Sequence, residues 1–310
     1  MKTILSVALL SFQLSFSQSI QIPSYYQVDE KLSKELYDMV LELYLDLNFD
    51  VGEDGTEKIS LAVIDLTGDQ PKLGGVNYDN FIYPASVYKM YVAAEILNQV
   101  SQEKYSLYKP YVAKELNVVD RSKQIDNDPR PLLKESDTVT INYLLDLMIT
   151  RSDNSASNCL IDIAQRKNID SLLHKYNWYG SEVTRKFLKR KFENPGYENI
   201  RGTETCALHA ADFMYKIYSN TLVNNWVSLQ MKTLLGRQLD KSKLAAGLPN
   251  TAMFYHKTGW FAYWTNDVGI VDDDEVKYII ACFIPLEEEL ALPKFKVLSE
   301  KIYELIKGKN

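Results

Sequence analysis

The chain has 310 residues, enough for one large domain or two lobes around a shared core. Hydrophobic residues at 46% and charged residues at 25% are ordinary globular values. The net charge of −6 argues against a general nucleic-acid binder, and no like-charge block is long enough to form an interaction tail.

The chain opens Met1-Lys2-Thr3, followed by an apolar run Ile4–Phe16 and small residues Ser15 and Ser17 before Gln18. A positive start, a short apolar core and a small-residue end predict a cleavable signal peptide over 1–17, and so a periplasmic or secreted protein. The run is too short to span a bilayer, no cysteine stands at the cleavage point, and no later stretch reads as a membrane helix. No stable membrane anchor is therefore expected. The spacings of Cys159, Cys206 and Cys282 match no zinc pattern; Cys159 and Cys282 fall in apolar runs and read as buried structural thiols.

Residues 29–48 have helical spacing at Leu32, Leu36, Met39, Val40 and Leu43. Two strands follow, Lys58–Leu66 and about Leu73–Tyr78, and the Thr67-Gly68-Asp69 turn between them suggests an antiparallel pair. Helices are predicted at Ser86–Val100, Thr140–Thr150, Ala156–Gln165, Ile169–Tyr176, Ala207–Ser219 and Val223–Leu235. Residues 107–137 are polar and read as loop with short helix, and 179–203 reads as a loop. Three strands, Met253–Trp260, Asp267–Val271 and Val276–Ile284, precede a closing helix Phe295–Lys307. This order predicts an α+β fold with a mainly antiparallel sheet flanked by terminal helices. The sheet lobe would take 18–84 and 242–310, with an all-helical lobe, 85–241, inserted between them.

Pro84-Ala85-Ser86-Val87-Tyr88-Lys89 starts the first helix of the inserted block. Residues three apart share a helix face, so the Ser86 hydroxyl and the Lys89 amine can meet. Serine needs a nearby base to act as a nucleophile, and Lys89 serves if its pKa is lowered. The helix start adds free backbone N–H groups that can bind an oxyanion. Ser101–Lys104 and Ser106–Lys109 have the same spacing, but neither lies at a strand-to-helix junction behind a proline. His174, His209 and His256 suggest neither a metal cluster nor a Ser-His-Asp triad, so no metal or cofactor is expected. Asp272-Asp273-Asp274 reads as a hairpin turn.

Ser152-Asp153-Asn154 follows a predicted helix, and Lys257-Thr258-Gly259 lies on a predicted strand. With Ser86 and Lys89 they match, in order, the Ser-x-x-Lys, Ser-Asp-Asn and Lys-Thr-Gly set of class A β-lactamases and penicillin-binding proteins. The resemblance extends through Leu144–Asn154, Asp240–Pro249, His256–Trp260 and Thr265–Val271, and covers about residues 30–308. It implies a β-lactamase/transpeptidase-like fold and a serine hydrolase that acts through a Ser86 acyl-enzyme. It also implies roles: Lys89 as base, Ser152 as proton carrier to the leaving nitrogen, and Asn154 as a hold on the substrate amide. Lys257 and Thr258 would bind a substrate carboxylate, Gly259 would let substrate approach the strand, and the N–H groups of Ser86 and Trp260 would form the oxyanion hole.

Class A enzymes carry a loop glutamate that activates water for deacylation. Here the corresponding position falls near Lys189 or Arg190, neither of which can be the base, and Gly202 stands where an acidic salt-bridge partner is expected. Glu193 is the substitute candidate, with Glu198 close behind. Three readings stay open: a β-lactamase, a penicillin-binding-like peptidase or acylable protein with slow deacylation, and a non-enzymatic sensor of β-lactams or cell-wall fragments. The expected partner is a small β-lactam or a cell-wall peptide, and the expected state is monomeric.

Overall fold

The computed structural model describes residues 20–52, 55–119, 128–187, 200 and 202–309. The predicted signal peptide, Lys189, Arg190, Glu193 and Glu198 lie outside the described residues.

A six-stranded sheet has the order β1-β3-β2-β8-β7-β6. Its strands are β1 (Gln27–Val28), β2 (Ser60–Asp65), β3 (Lys72–Val76), β6 (Met253–Phe261), β7 (Trp264–Asp272) and β8 (Lys277–Ile284). The pairs are antiparallel except β1 with β3, which is parallel. The sheet thus joins the two ends of the chain, as expected. Two short segments were not legible in the pattern: β1, and a separate ribbon of β4 (Pro110–Val112) with β5 (Thr138–Thr140) inside the polar stretch. Strands of two or three residues carry too little alternation to read.

Both faces of the sheet are covered. Along β8, Tyr278, Ile280, Cys282 and Ile284 enter one core, while Ile279, Ala281 and Phe283 enter the other. This period-2 division explains why the strand reads as an unbroken apolar run. The first core is completed by α1 (Glu30–Glu42), through Leu32, Leu36 and Val40, and by α8 (Glu288–Lys307), through Phe295, Leu298, Ile302 and Ile306. Asp29 caps α1, its Oδ1 accepting the Leu32 N–H at 2.9 Å. The first helix ends at Glu42 rather than 48, and the last begins at Glu288 rather than 295 because it runs through Pro293. The other core holds α2 (Lys89–Ser101), α3 (Ile141–Thr150), α4 (Asn154–Ala164), α5 (Arg166–Lys175), α6 (Ala207–Tyr218) and α7 (Asn225–Leu235). Cys159, Cys206 and Cys282 are buried, and burial pushes the first two thiols up to about 12.

Asp212 on α6 ties the N-terminal segment to the helices. Its Oδ1 accepts the hydroxyls of Tyr25 (2.5 Å) and Tyr26 (2.6 Å), and its Oδ2 accepts Trp178 Nε1–H (2.8 Å). Asp212→Ala is expected to cost about 2–4 kcal/mol, because it strips buried donors of a charged acceptor. Urea denaturation checks this, with a lower midpoint at unchanged slope as the expected result.

Candidate active site

The nucleophile candidate stands on a tight turn. Residues Ala85–Tyr88 form a 3₁₀ turn that leads into α2 at Lys89, so the regular α-helix starts three residues later than the expected Ser86. In 3₁₀ geometry, positions i and i+3 eclipse, which places Ser86 and Lys89 on one side of the turn. Ala85 has φ 47, a left-handed conformation that strains a residue with a side chain. The turn is held from several directions. Ile82 pairs through its backbone with Thr205, and Asn266 Nδ2 donates to the Tyr83 carbonyl at 3.1 Å. The backbone of β6 presses against it at Gly259.

Ser152 also has a left-handed backbone, φ 60, between the end of α3 and the start of α4. Asp153 caps α4 by accepting the Ala156 N–H at 2.9 Å. The triplet is thus an ordinary helix cap that also presents a hydroxyl and an amide. Arg151 spans Asp153 (3.0 Å), Asp128 (3.4 Å) and the carbonyls of Arg130 and Pro131, while Arg130 pairs with Asp128 and Asp146. This network fastens the segment after residue 127 over the end of α3.

The side chains converge on the Ser152 hydroxyl. Lys89 Nζ lies 3.1 Å from Ser152 Oγ, and Lys257 Nζ lies 3.1 Å from the same atom. Lys89 also donates to the Ser152 carbonyl (2.6 Å) and to Asn154 Oδ1 (2.8 Å), and Lys257 donates to the Thr258 carbonyl (2.8 Å). Both lysines are fully buried. Burial, followed by repulsion from Lys257, lowers Lys89 well below the ordinary lysine value against a weaker pull from Asp153. Burial brings Lys257 down to about 7, partly offset by the charges of Asp240 and Asp267. Two buried amines whose pKa values are both pushed down, with a hydroxyl between them, form a proton-transfer chain.

Lys257, Thr258 and Gly259 lie on β6, which ends the sheet order and, among the described residues, pairs with β7 alone. An edge strand can hold an extended ligand by backbone hydrogen bonds. His256 points the other way, its Nδ1 2.9 Å from Asp267 Oδ1, as strand alternation requires. Trp260, the next residue along β6, is 37% exposed, so the bulky ring stands at the surface. Thr258 is buried.

Two contributors were missed in the sequence. Asn158 lies one helical turn beyond Asn154 on α4. Asn154 holds Lys89; Asn158 holds the backbone of Phe187. That i, i+4 pair of asparagines was the available signal. The second is Phe187 itself, whose ring centroid lies 4.3 Å from Lys89 Nζ. Tyr88 packs rather than lining the cleft: it is 3% exposed and its ring stacks on Phe187.

The fold is of the β-lactamase/transpeptidase type. It is similar to the structure of PBP-A, with TM-score 0.74, 17% identity, and coverage of 91% of this chain and 98% of that one. A β-lactamase from Sphaerobacter thermophilus DSM 20745 is similar with TM-score 0.73, 16% identity, and coverage of 88% of this chain and 97% of that one. TLA-3 extended-spectrum β-lactamase is similar with TM-score 0.73, 14% identity, and coverage of 89% and 99%. Residues 46–305 match the profile of the beta-lactamase enzyme family, and the chain belongs to that family. No curated protein sequence matches it. Among the described residues no helix is long and apolar enough to cross a membrane.

Proposed function

We propose that this protein opens β-lactams through an ester on Ser86, as a serine hydrolase of the β-lactamase type acting outside the cytoplasm. The observation that carries the reading is the Ser152 hydroxyl, 3.1 Å from each of two buried lysine amines. Ser86 Oγ attacks the lactam carbonyl carbon and its proton passes to the neutral Lys89 amine. The N–H groups of Ser86 and Trp260 receive the oxyanion. The carbon–nitrogen bond then breaks, Ser152 protonates the departing nitrogen, and Lys89 restores the Ser152 proton. Asn154 orients Lys89 and the substrate amide. Lys257 and Thr258 bind the substrate carboxylate, with Gly259 allowing close approach to β6. Hydrolysis of the ester needs a base for water, and Glu193 is the residue proposed from sequence.

Intact-mass measurement after addition of penicillin tests the reading. The expected result is a covalent adduct that maps to Ser86 and is absent in Ser86→Ala. No adduct and no turnover of a chromogenic cephalosporin would sink it. A second reading, a peptidase acting on cell-wall peptides, is favoured by the place of β6 at the end of the sheet order, beside the lysines. Release of a terminal D-amino acid from a stem peptide would select it.

Lys257 supplies a pH dependence. Its folded pKa of about 7 lies below the ordinary lysine value, so the free site carries the ammonium below that pH and loses it above. Carboxylate binding is therefore expected to be tightest below about pH 7. The dissociation constant of penicillin for Ser86→Ala should rise about tenfold per pH unit above it, until the pKa raised by the bound carboxylate is reached. Calorimetric titration across the neutral range checks this.

A further inference from the structure

Beside Lys257 the sheet buries a second polar cluster that the acyl-transfer steps leave unused. His256 and Asp267, both fully buried, stand on the neighbouring strands β6 and β7. His256 Nδ1 lies 2.9 Å from Asp267 Oδ1, and Asp267 Oδ2 accepts the Leu244 N–H at 3.2 Å. Lys241 Nζ lies 3.4 Å from His256 Nε2. Burial, ahead of the opposing pull of Asp267, pushes His256 below its ordinary value, so the ring is neutral in the neutral pH range. A neutral imidazole donates from one nitrogen only. With the Lys241 donor at Nε2, the ring proton belongs on Nδ1, facing the carboxylate. The ring therefore holds Asp267 in place without cancelling its charge.

The other charges near Lys257 are matched elsewhere or repel it. Lys243, fully buried, pairs with Asp240 at 2.8 Å and with Glu288 of α8 at 3.0 Å. Lys89 faces Lys257 across the Ser152 hydroxyl, and the two amines repel each other. Cys282, opposite Asp267 on β8, is a buried thiol pushed up by burial and by Asp267, so it stays uncharged. Lys241 is exposed, and salt screens its charge. Among the described residues, the only ion-pair partner of Asp267 is His256.

The Lys257 ammonium is brought close to that carboxylate. Its Nζ curls back to the Thr258 carbonyl at 2.8 Å, and Thr258 is the residue directly opposite Asp267 in the strand register. Residues so paired have Cα atoms about 4.5–5.5 Å apart. Burial lowers Lys257, and Asp240 and then Asp267 act against that. The pull of Asp240 comes with the opposite push of its partner Lys243, whereas that of Asp267 has no such companion.

We propose that Asp267 is the buried counter-charge that keeps Lys257 an ammonium, and that His256 is a positioning residue that holds Asp267 to that task. The inference rests on the reading of Lys257 as the residue that meets a substrate carboxylate, and concerns what keeps it charged.

The test follows the Lys257 titration by NMR of protein carbon-labelled at lysine Cε, with the signal assigned by its loss in Lys257→Met. The wild type is expected to titrate at about 7. Removing an opposite charge disfavours an ammonium, so Asp267→Asn should lower the midpoint by about one pH unit or more, the range an adjacent charge supplies. His256→Leu strips a donor from the buried carboxylate, favours its uncharged form and should shift Lys257 the same way. His256→Asn, whose amide nitrogen stands where Nδ1 stood, should leave the midpoint in place. In a Ser86→Ala background, penicillin affinity should fall off at correspondingly lower pH in Asp267→Asn, with the low-pH affinity kept. A wild-type Lys257 midpoint in whichever of Asp267→Asn and His256→Leu folds would overturn the inference, as would an equal shift in His256→Asn and His256→Leu. A merely structural Asp267 would weaken binding at every pH without moving the midpoint. If the midpoints shift as expected but Ser86→Ala binds no penicillin at any pH, the counter-charge stands and the carboxylate-binding reading fails.

Discussion

A Lys89→Met protein is expected to acylate about 10³-fold more slowly than the wild type while remaining folded, a loss within the range that a positioned base contributes. Lys89 is fully buried, and burial together with the Lys257 charge lowers its pKa. An amine so placed gives up its proton more readily than an ordinary lysine, and once neutral it has a lone pair to take the Ser86 proton. Methionine fills a similar volume with no polar atom, so it removes the lone pair and leaves the packing. Two opposing effects act on stability. Relief of an ammonium buried beside a second one is favourable. Loss of donors to Asn154 Oδ1 and the Ser152 carbonyl costs about 1–3 kcal/mol for each acceptor left bare. The melting temperature should therefore move little against a loss of three orders of magnitude in rate. Single-turnover acylation across pH gives the sharper readout: the wild-type rate should climb as Lys89 deprotonates, and the variant should lack that limb.

Gly259→Ala is the second large effect, and it comes from backbone rather than chemistry. A Cβ on Gly259 would lie 2.6 Å from the Pro84 carbonyl oxygen, 3.0 Å from the Ser86 nitrogen and 3.1 Å from the Val87 nitrogen. All three are main-chain atoms of the turn that carries Ser86, so no side chain can swing aside. Either β6 or the turn must move, and both hold parts of the site. Displacement by about 1 Å of groups that position a reaction costs on the order of 10²-fold in rate. Overpacking of this kind destabilises by about 1–3 kcal/mol. Acylation by penicillin should fall about 10²-fold in Gly259→Ala with the Ser86, Lys89 and Ser152 side chains all present. Gly68→Ala is the control: a Cβ there meets nothing within 4 Å, and rate and stability should match the wild type. A normal rate in Gly259→Ala would mean that β6 does not need its close approach to the nucleophile turn.

Much of the fold was legible because its signals are local. The Asp29 cap and the spacing of Leu32, Leu36 and Val40 announce α1 without any partner. The apolar run of β8 announces a strand covered on both faces. The closing helix, expected from Phe295, begins at Glu288 and runs through Pro293. The polar stretch that holds β4 and β5 was read as loop, because a three-residue strand is defined by its partner and not by its own pattern.

The site divides in the same way. Sequence alone determined the chemical inventory: Ser86 and Lys89 one turn apart, Ser152 and Asn154 at a helix cap, and Lys257 to Gly259 on a strand. Each is a short-range arrangement, so motif and periodicity suffice to find it. Tertiary structure decided what surrounds them. It set Ser152 between Lys89 and Lys257, which are far apart in the chain, and it buried both amines so that their protons loosen. It also chose the residue that covers Lys89. The Phe187 ring lies 4.3 Å from Lys89 Nζ. Asn158, 29 residues earlier in the chain, grips the Phe187 backbone. Spacing within a loop does not encode such a bond, because the contact exists only once α4 and the loop have packed together.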